Sequence, residues 1–300
     1  MVSIVSNWYC LILCLLSASC TGQNYIQYHQ ATLEAYRLRA SGDHHSTITA
    51  FTGLEGKFSL LPTEAYALGY SFCVVGDTVR AKRYFLMAAE KGTPAGLLEV
   101  DRDSLLRYVP AHWYASMNRD YVTWCLMLYP FVDGPNGTIP APTTRINRVY
   151  QHVIDSLSGI YGGYSTELRG HEAAQKRYTQ VRKSHDAVMD SILAQQLPLP
   201  SISSYGMNGE FDIFLLHLTP EYLFSKRDTL LAWLEKGWIY PRTYAACFDQ
   251  INLDRGAKVP YGALLGYPPE YLQEGYEGRR LEIGMGSDAI DCIRFHWFCP

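Results

Sequence analysis

His217, Asp249 and Tyr261 are the residues of this 300-residue chain whose types could together carry proton-transfer chemistry. A histidine with a carboxylate partner can act as a general base, and a tyrosine hydroxyl can donate to developing negative charge. The same residues have ordinary uses. His217 can cap or bridge helices, Asp249 can pair with Arg242 or Arg255, and Tyr261-Gly262 can make a turn. Packing is the favoured reading, because no Ser or Cys nucleophile in a strained glycine-rich turn accompanies the three. Metal chemistry is weaker still. His171-Glu172-Ala173-Ala174-Gln175 puts Gln175 where a zinc site would need its second histidine, so a metalloprotease is rejected. Asp101 and Asp103 are ordinary helix-start residues, and neither a metal site nor a cofactor motif is visible in the spacing.

Cys20 offers a different reaction. The apolar stretch from Trp8 to Leu16 is shorter than the roughly 20 residues that a membrane span needs. It runs into Ser17-Ala18-Ser19 and reads as an export signal over residues 1–19. Leu16-Ser17-Ala18-Ser19-Cys20 resembles a loose bacterial lipobox, in which the cysteine is diacylated and becomes the mature N-terminus. The resemblance implies a membrane-anchored envelope lipoprotein. Cleavage before Cys20 without lipidation, giving a periplasmic or secreted soluble protein, stays open. The remaining chain would keep Cys20, Cys73, Cys125, Cys247, Cys292 and Cys299 without any CxxC. Cys73 suits a buried helix face, and Cys292 and Cys299 could bridge in an oxidising compartment.

The elements that would position these residues are helical. Pro62 to Pro94 places small residues at Ala65, Gly69, Ala81 and Ala88 and large ones at Leu68, Phe72 and Phe85, around a Gly76-Asp77 turn. Two helices packed closely enough to need Ala and Gly at the crossing look like this. An echo lies 34 residues earlier: Gly42-Asp43, Ala31, Phe51 and Lys57 precede Gly76-Asp77, Ala65, Phe85 and Lys91 by that interval. The period resembles that of tetratricopeptide repeats, a family of helix–turn–helix binding scaffolds, with the first copy degenerate. The pattern predicts helices at about 26–40, 44–56, 63–75 and 78–91, with Gly92 closing the last. A further helix is expected over Met117 to Tyr129, following a short segment from Asp101 to Trp113.

Pro130 to Pro142 is the clearest break and marks a linker. Beyond it, a short helix is expected at Thr144 to Leu157. Tyr178, Val181, His185, Val188 and Ile192 form one apolar stripe on a long helix across 165–196. His185, on that stripe, reads as a core histidine. Single helices follow at about 220–236, closed by Gly237, and from Pro241 to Leu253. The aromatic ending Phe295, Trp297 and Phe298 suggests a tail folded onto the core or a docking peptide.

Residues 205–285 carry a second resemblance. His217, Arg227, Lys236-Gly237, Tyr244-Ala245, Asp249-Gln250, Gly256, Tyr261-Gly262 and Arg279-Arg280 with Ile283-Gly284 are similar to an uncharacterised bacterial domain family. The chain departs from that pattern at Leu216, Gln250 and Ala263-Leu264, each where the family has a polar group. The resemblance implies no activity.

Composition narrows the partners. With 48% hydrophobic residues the chain can bury a sizeable core or two smaller ones. A net charge of −3 and no Lys/Arg run longer than two argue against nucleic acid, which needs a basic face. The 23 tyrosines suit half-buried packing surfaces with wet hydroxyls. The expectation is therefore an all-α protein. A short tetratricopeptide-like solenoid over 20–129 is followed by a linker at 130–142 and a mostly helical domain over 143–300. The expected function is a non-catalytic exported protein that binds protein or peptide on its repeats, held to the membrane through Cys20. A hydrolase-like enzyme using His217, Asp249 and Tyr261, or a purely structural lipoprotein, are the alternatives.

Overall fold

The computed structural model describes residues 24–93, 96–128, 172–194, 214–263, 268–287 and 289–291. The described residues are helical. Their one extended pairing is an isolated bridge between Val259 and Leu272, and no helix among them is long and apolar enough to cross a membrane. The expectations for residues 1–19, Cys20, the 130–142 linker, the 144–157 helix, His171, Cys292, Cys299 and the aromatic tail lie outside them.

Two helical hairpins come first among the described residues. The first pairs α1 (Tyr25–Ala40) with α2 (His44–Glu55); the second pairs α3 (Pro62–Val74) with α4 (Thr78–Glu90). Their corners are built alike. Gly42 and Gly76 both sit at φ 81, a left-handed conformation that glycine adopts without strain. The next residue in each, Asp43 and Asp77, caps the following helix by accepting from the backbone amide of Ser46 or Arg80 at 3.0 Å. An aromatic pair joins the helices of each hairpin, Tyr36 edge-on to Phe51 at 5.4 Å and Tyr66 against Phe85 at 5.2 Å; Phe51 and Phe85 keep the 34-residue interval and the tyrosines do not. Ala65, Ala81 and Ala88 are fully buried where α3 meets α4, and a Cβ on Gly69 would lie 3.0 Å from the Phe85 ring. The small residues are what lets these two helices approach.

After two single turns, α5 (Leu97–Val100) and α6 (Arg102–Leu105), the longer α7 (Ala111–Leu128) packs on α4 through Tyr114, Met117, Tyr121 and Cys125. The first core runs from Tyr25 to Cys125. Cys73, expected on the inward face, is fully buried there, and burial pushes its thiol up to about 12.

A second core gathers Met189 of α8 (Glu172–Ala194) with residues from Phe214 to Met285. One helix was expected across 220–236. The chain instead forms α9 (Pro220–Ser225) and α10 (Arg227–Glu235), parted at Lys226. There the amide of Lys226 donates to both Tyr222 and Leu223 carbonyls, so the ladder tightens and the axis breaks. Next comes α11 (Pro241–Asp254), opened by proline at its first position, then a single turn at Pro269–Tyr271 and α12 (Tyr276–Glu282).

Helix α1 belongs to both halves. Tyr25, Tyr28 and Tyr36 join the first core, while Ile26 packs against the second. The Gln30 carboxamide donates to the Leu281 carbonyl at 3.0 Å, at the end of α12. In return Tyr240, just before α11, enters the first core, and its hydroxyl meets that of Thr63 at 3.3 Å.

Candidate functional site

Of the three residues singled out for chemistry, Asp249 and Tyr261 share one loop and His217 stands apart. Asp249, buried in the middle of α11, accepts from the backbone amides of Tyr261 (2.8 Å) and Ala263 (2.5 Å). From the other side of the same loop, the buried Arg280 guanidinium donates to the carbonyls of Tyr261 (3.2 Å) and Gly262 (3.1 Å). It also reaches the Gly286 carbonyl at 2.7 Å and pairs with Asp291 at 2.9 Å. Arg279 donates to the Pro260 carbonyl at 3.0 Å. Asp249 and Tyr261 are therefore brought together, through the tyrosine's amide rather than its hydroxyl. Burial pushes the Asp249 carboxyl up to about 6, against the opposing pull of the two amides, Arg280 and Arg279. The Tyr261 ring lies edge-on to Tyr244 at 6.2 Å, and burial pushes its hydroxyl up to about 12.

His217 keeps other company. Its ring stands edge-on to His185 at 5.8 Å, and His185 stacks on Phe214 at 5.4 Å. Arg182 lies close, holding the Leu218 carbonyl and Asp254 (2.6 Å to the latter). Burial first, then His185 and Arg182, push the His217 imidazole down to about 3. It is thus neutral at pH 7, and the groups that perturb it are not those that perturb Asp249. The expected pairings of Asp249 with Arg242 or Arg255 give way to the loop amides, while Arg255 covers the Phe224 ring. The turn expected at Tyr261-Gly262 is a bend at Pro260-Tyr261, followed by Gly262 at φ 60.

Two features escaped the sequence reading. Glu64 is a fully buried carboxylate that accepts from the hydroxyls of Tyr28 (3.2 Å), Tyr36 (3.3 Å) and Thr63 (2.7 Å), beside the contact with Tyr240. Its hydroxyl partners lie up to 36 residues away in sequence, so spacing alone could not reveal them.

The other is a cleft of about 530 Å³ between α5–α6 and the outer face of α7. Ala111, Ala115, Leu106 and Val122 are among its apolar lining, and Glu99, Arg102, Asn118 and Arg119 among its polar groups. Glu99 is already engaged, by Arg102 at 3.2 Å and by the Tyr114 hydroxyl at 3.1 Å. Its signal in sequence was the row Ala111, Ala115, Asn118 and Val122, spaced by three and four along a helix otherwise rich in large apolar residues. Asp101, weighed as a metal ligand, accepts from the Tyr66 hydroxyl at 2.9 Å, and no group of three or more metal-binding side chains stands among the described residues.

Compared with known proteins, the chain matches no family model, no curated protein and no solved structure.

Proposed function

We propose that this chain is a non-catalytic exported protein whose paired helices form a tetratricopeptide-like scaffold for a protein or peptide segment. The observation that carries the reading is the corner repeated at a 34-residue interval, with the same glycine conformation and the same aspartate cap; an open cleft lies further on, at α7. Repeating hairpins of this kind present continuous surfaces, and a cleft of this volume falls in the range of ligand-binding sites.

The enzyme reading has less behind it. The Asp249 carboxylate is spent on holding a loop, and His217 has His185 and Arg182 as neighbours. The envelope location and the lipid anchor at Cys20 rest on the sequence of the first twenty residues.

A peptide-display selection against the full chain tests the scaffold reading. Enriched peptides should compete with one another for one site on residues 25–128. Failure to enrich any sequence over an unrelated helical protein would overturn it. Incorporation of an alkyne-tagged palmitate, lost in Cys20→Ala, tests the anchor separately.

A further inference from the structure

The α7 cleft has chemistry specific enough to name its ligand. We propose that it seats an apolar side chain of an acidic peptide segment, with the neighbouring carboxylate on Arg119 and a backbone N–H on Asn118. This inference rests on the scaffold reading above and narrows it to one place and one chemistry.

Three observations converge. The first is charge. Glu99 is satisfied by Arg102 and Tyr114, so its charge is compensated within the cleft. The side chain of Arg119 is 75% exposed and has only a 3.9 Å approach to Asp120, whose other oxygen is held by Lys82 at 2.6 Å. A guanidinium so placed suits a carboxylate, which its planar fork can bind through two hydrogen bonds.

The second observation is an unmet acceptor. Asn118 Oδ1 is shielded from solvent and accepts no hydrogen bond. An acceptor left in that state is costly. A ligand that brings an N–H lets the carboxamide turn into the cleft and gain the missing bond. A peptide brings such a donor at every residue but proline.

The third is shape. Two alanines one turn apart leave a trough on α7, flanked by Leu106 and Val122. It has room for a branched aliphatic side chain, and the second guanidinium there, Arg102, is taken by Glu99 at 3.2 Å, which leaves Arg119 as the cation on offer.

N-Acetyl-L-leucinate carries all three features, and N-acetyl-L-leucinamide lacks only the charge. Each is titrated into the full chain while the methyl resonances of Ala111, Ala115 and Val122 are followed by NMR. The acid should shift these three and bind about threefold to fivefold more tightly than the amide, the worth of one exposed ion pair. Arg119→Gln should erase the preference for the acid, and Ala115→Trp should abolish the shifts of Ala111 and Val122 by filling the trough. Asn118→Leu should weaken binding while keeping or raising the melting temperature, since it removes an unsatisfied acceptor. A fall in melting temperature would instead make Asn118 a structural residue and overturn its role. Equal binding of acid and amide overturns the proposal, as does binding that survives Ala115→Trp. If the acid, or a peptide selected on the full chain, shifts methyls elsewhere on residues 25–128, the cleft is wrong and the scaffold stands. If neither binds at all, both fail.

Discussion

Asp249 and Arg280 grip one loop from opposite sides. Asp249 takes the amides of Tyr261 and Ala263, and Arg280 donates to the carbonyls of Tyr261 and Gly262 between them. Four backbone groups of an irregular, partly buried loop are thereby satisfied without any sheet. The loop carries the chain from the end of α11 toward α12, which Gln30 of the first helix then caps. Residues that looked suited to proton transfer are thus spent on positioning the second half of the protein against α1.

Removing the guanidinium should therefore be expensive. Arg280 is 2% exposed, and Arg280→Met takes the counter-charge from a buried Asp291 and a donor from three carbonyls. Breaking a buried pair from one side costs about 3–5 kcal/mol. The urea midpoint should drop accordingly, and adding Asp291→Leu should recover part of the loss, because the stranded charge goes with it. A midpoint within error of wild type would mean that the clasp contributes nothing.

The first half was legible because its signals are local. A left-handed glycine followed by a capping aspartate fixes a helix corner within five residues, and the helices at His44–Glu55 and Thr78–Glu90 follow from it. The Arg279-Arg280 and Ile283-Gly284 pairs were visible as a pattern, yet their purpose was not. Their partners stand at Pro260, Tyr261 and His29, and only the folded chain brings those together. The same holds for Glu64, whose three hydroxyls come from α1 and from its own neighbour. The break at Lys226 was missed because nothing in Lys226-Arg227 interrupts a helical pattern; packing imposes it.

Acid should unfold the protein partly through His217. Its imidazole is held down to about 3 when folded, against an ordinary value near 6.5. The unfolded chain binds the extra proton across that window, so stability is complete above pH 6.5 and falls as pH drops toward 3. Between pH 7 and pH 5 the loss from this group is about 2 kcal/mol. His185, also held down by burial, adds to it, while Asp186 opposes the shift in His185. Urea titrations at pH 7 and pH 5 should show a smaller difference for His217→Gln than for wild type. An equal difference would remove His217 from the acid response.

If the two hairpins are structural repeats, their corners should respond alike. Gly42 and Gly76 share φ 81, and a Cβ at either would meet nothing within 4 Å. Gly42→Ala and Gly76→Ala should each cost about 1 kcal/mol, from backbone strain alone. Because an added Cβ touches nothing at either corner, the double variant should lose the sum. Unequal costs, or a double variant well away from additivity, would count against equivalence of the corners.

Gly284 has nearly the same backbone, at φ 78, but very different surroundings. A Cβ there would lie 2.5 Å from the Cβ of His29, 3.1 Å from the Ile26 carbonyl and 3.2 Å from the Gln30 amide. Those atoms belong to the spine of α1 and cannot swing aside as a side-chain tip would. Gly284→Ala should therefore cost the strain of about 1 kcal/mol expected at Gly42 and, beyond it, an overpacking cost of about 1–3 kcal/mol. The difference between the two variants isolates the close approach of Gly284, just past α12, to α1. Hydrogen exchange should locate the damage. Amides of Ile283 to Gly286 and of α12 should exchange faster in Gly284→Ala, while those of α3 and α4, in the other core, should keep their protection. If Gly284→Ala costs no more than Gly42→Ala, the first helix is not the surface on which the second half is built.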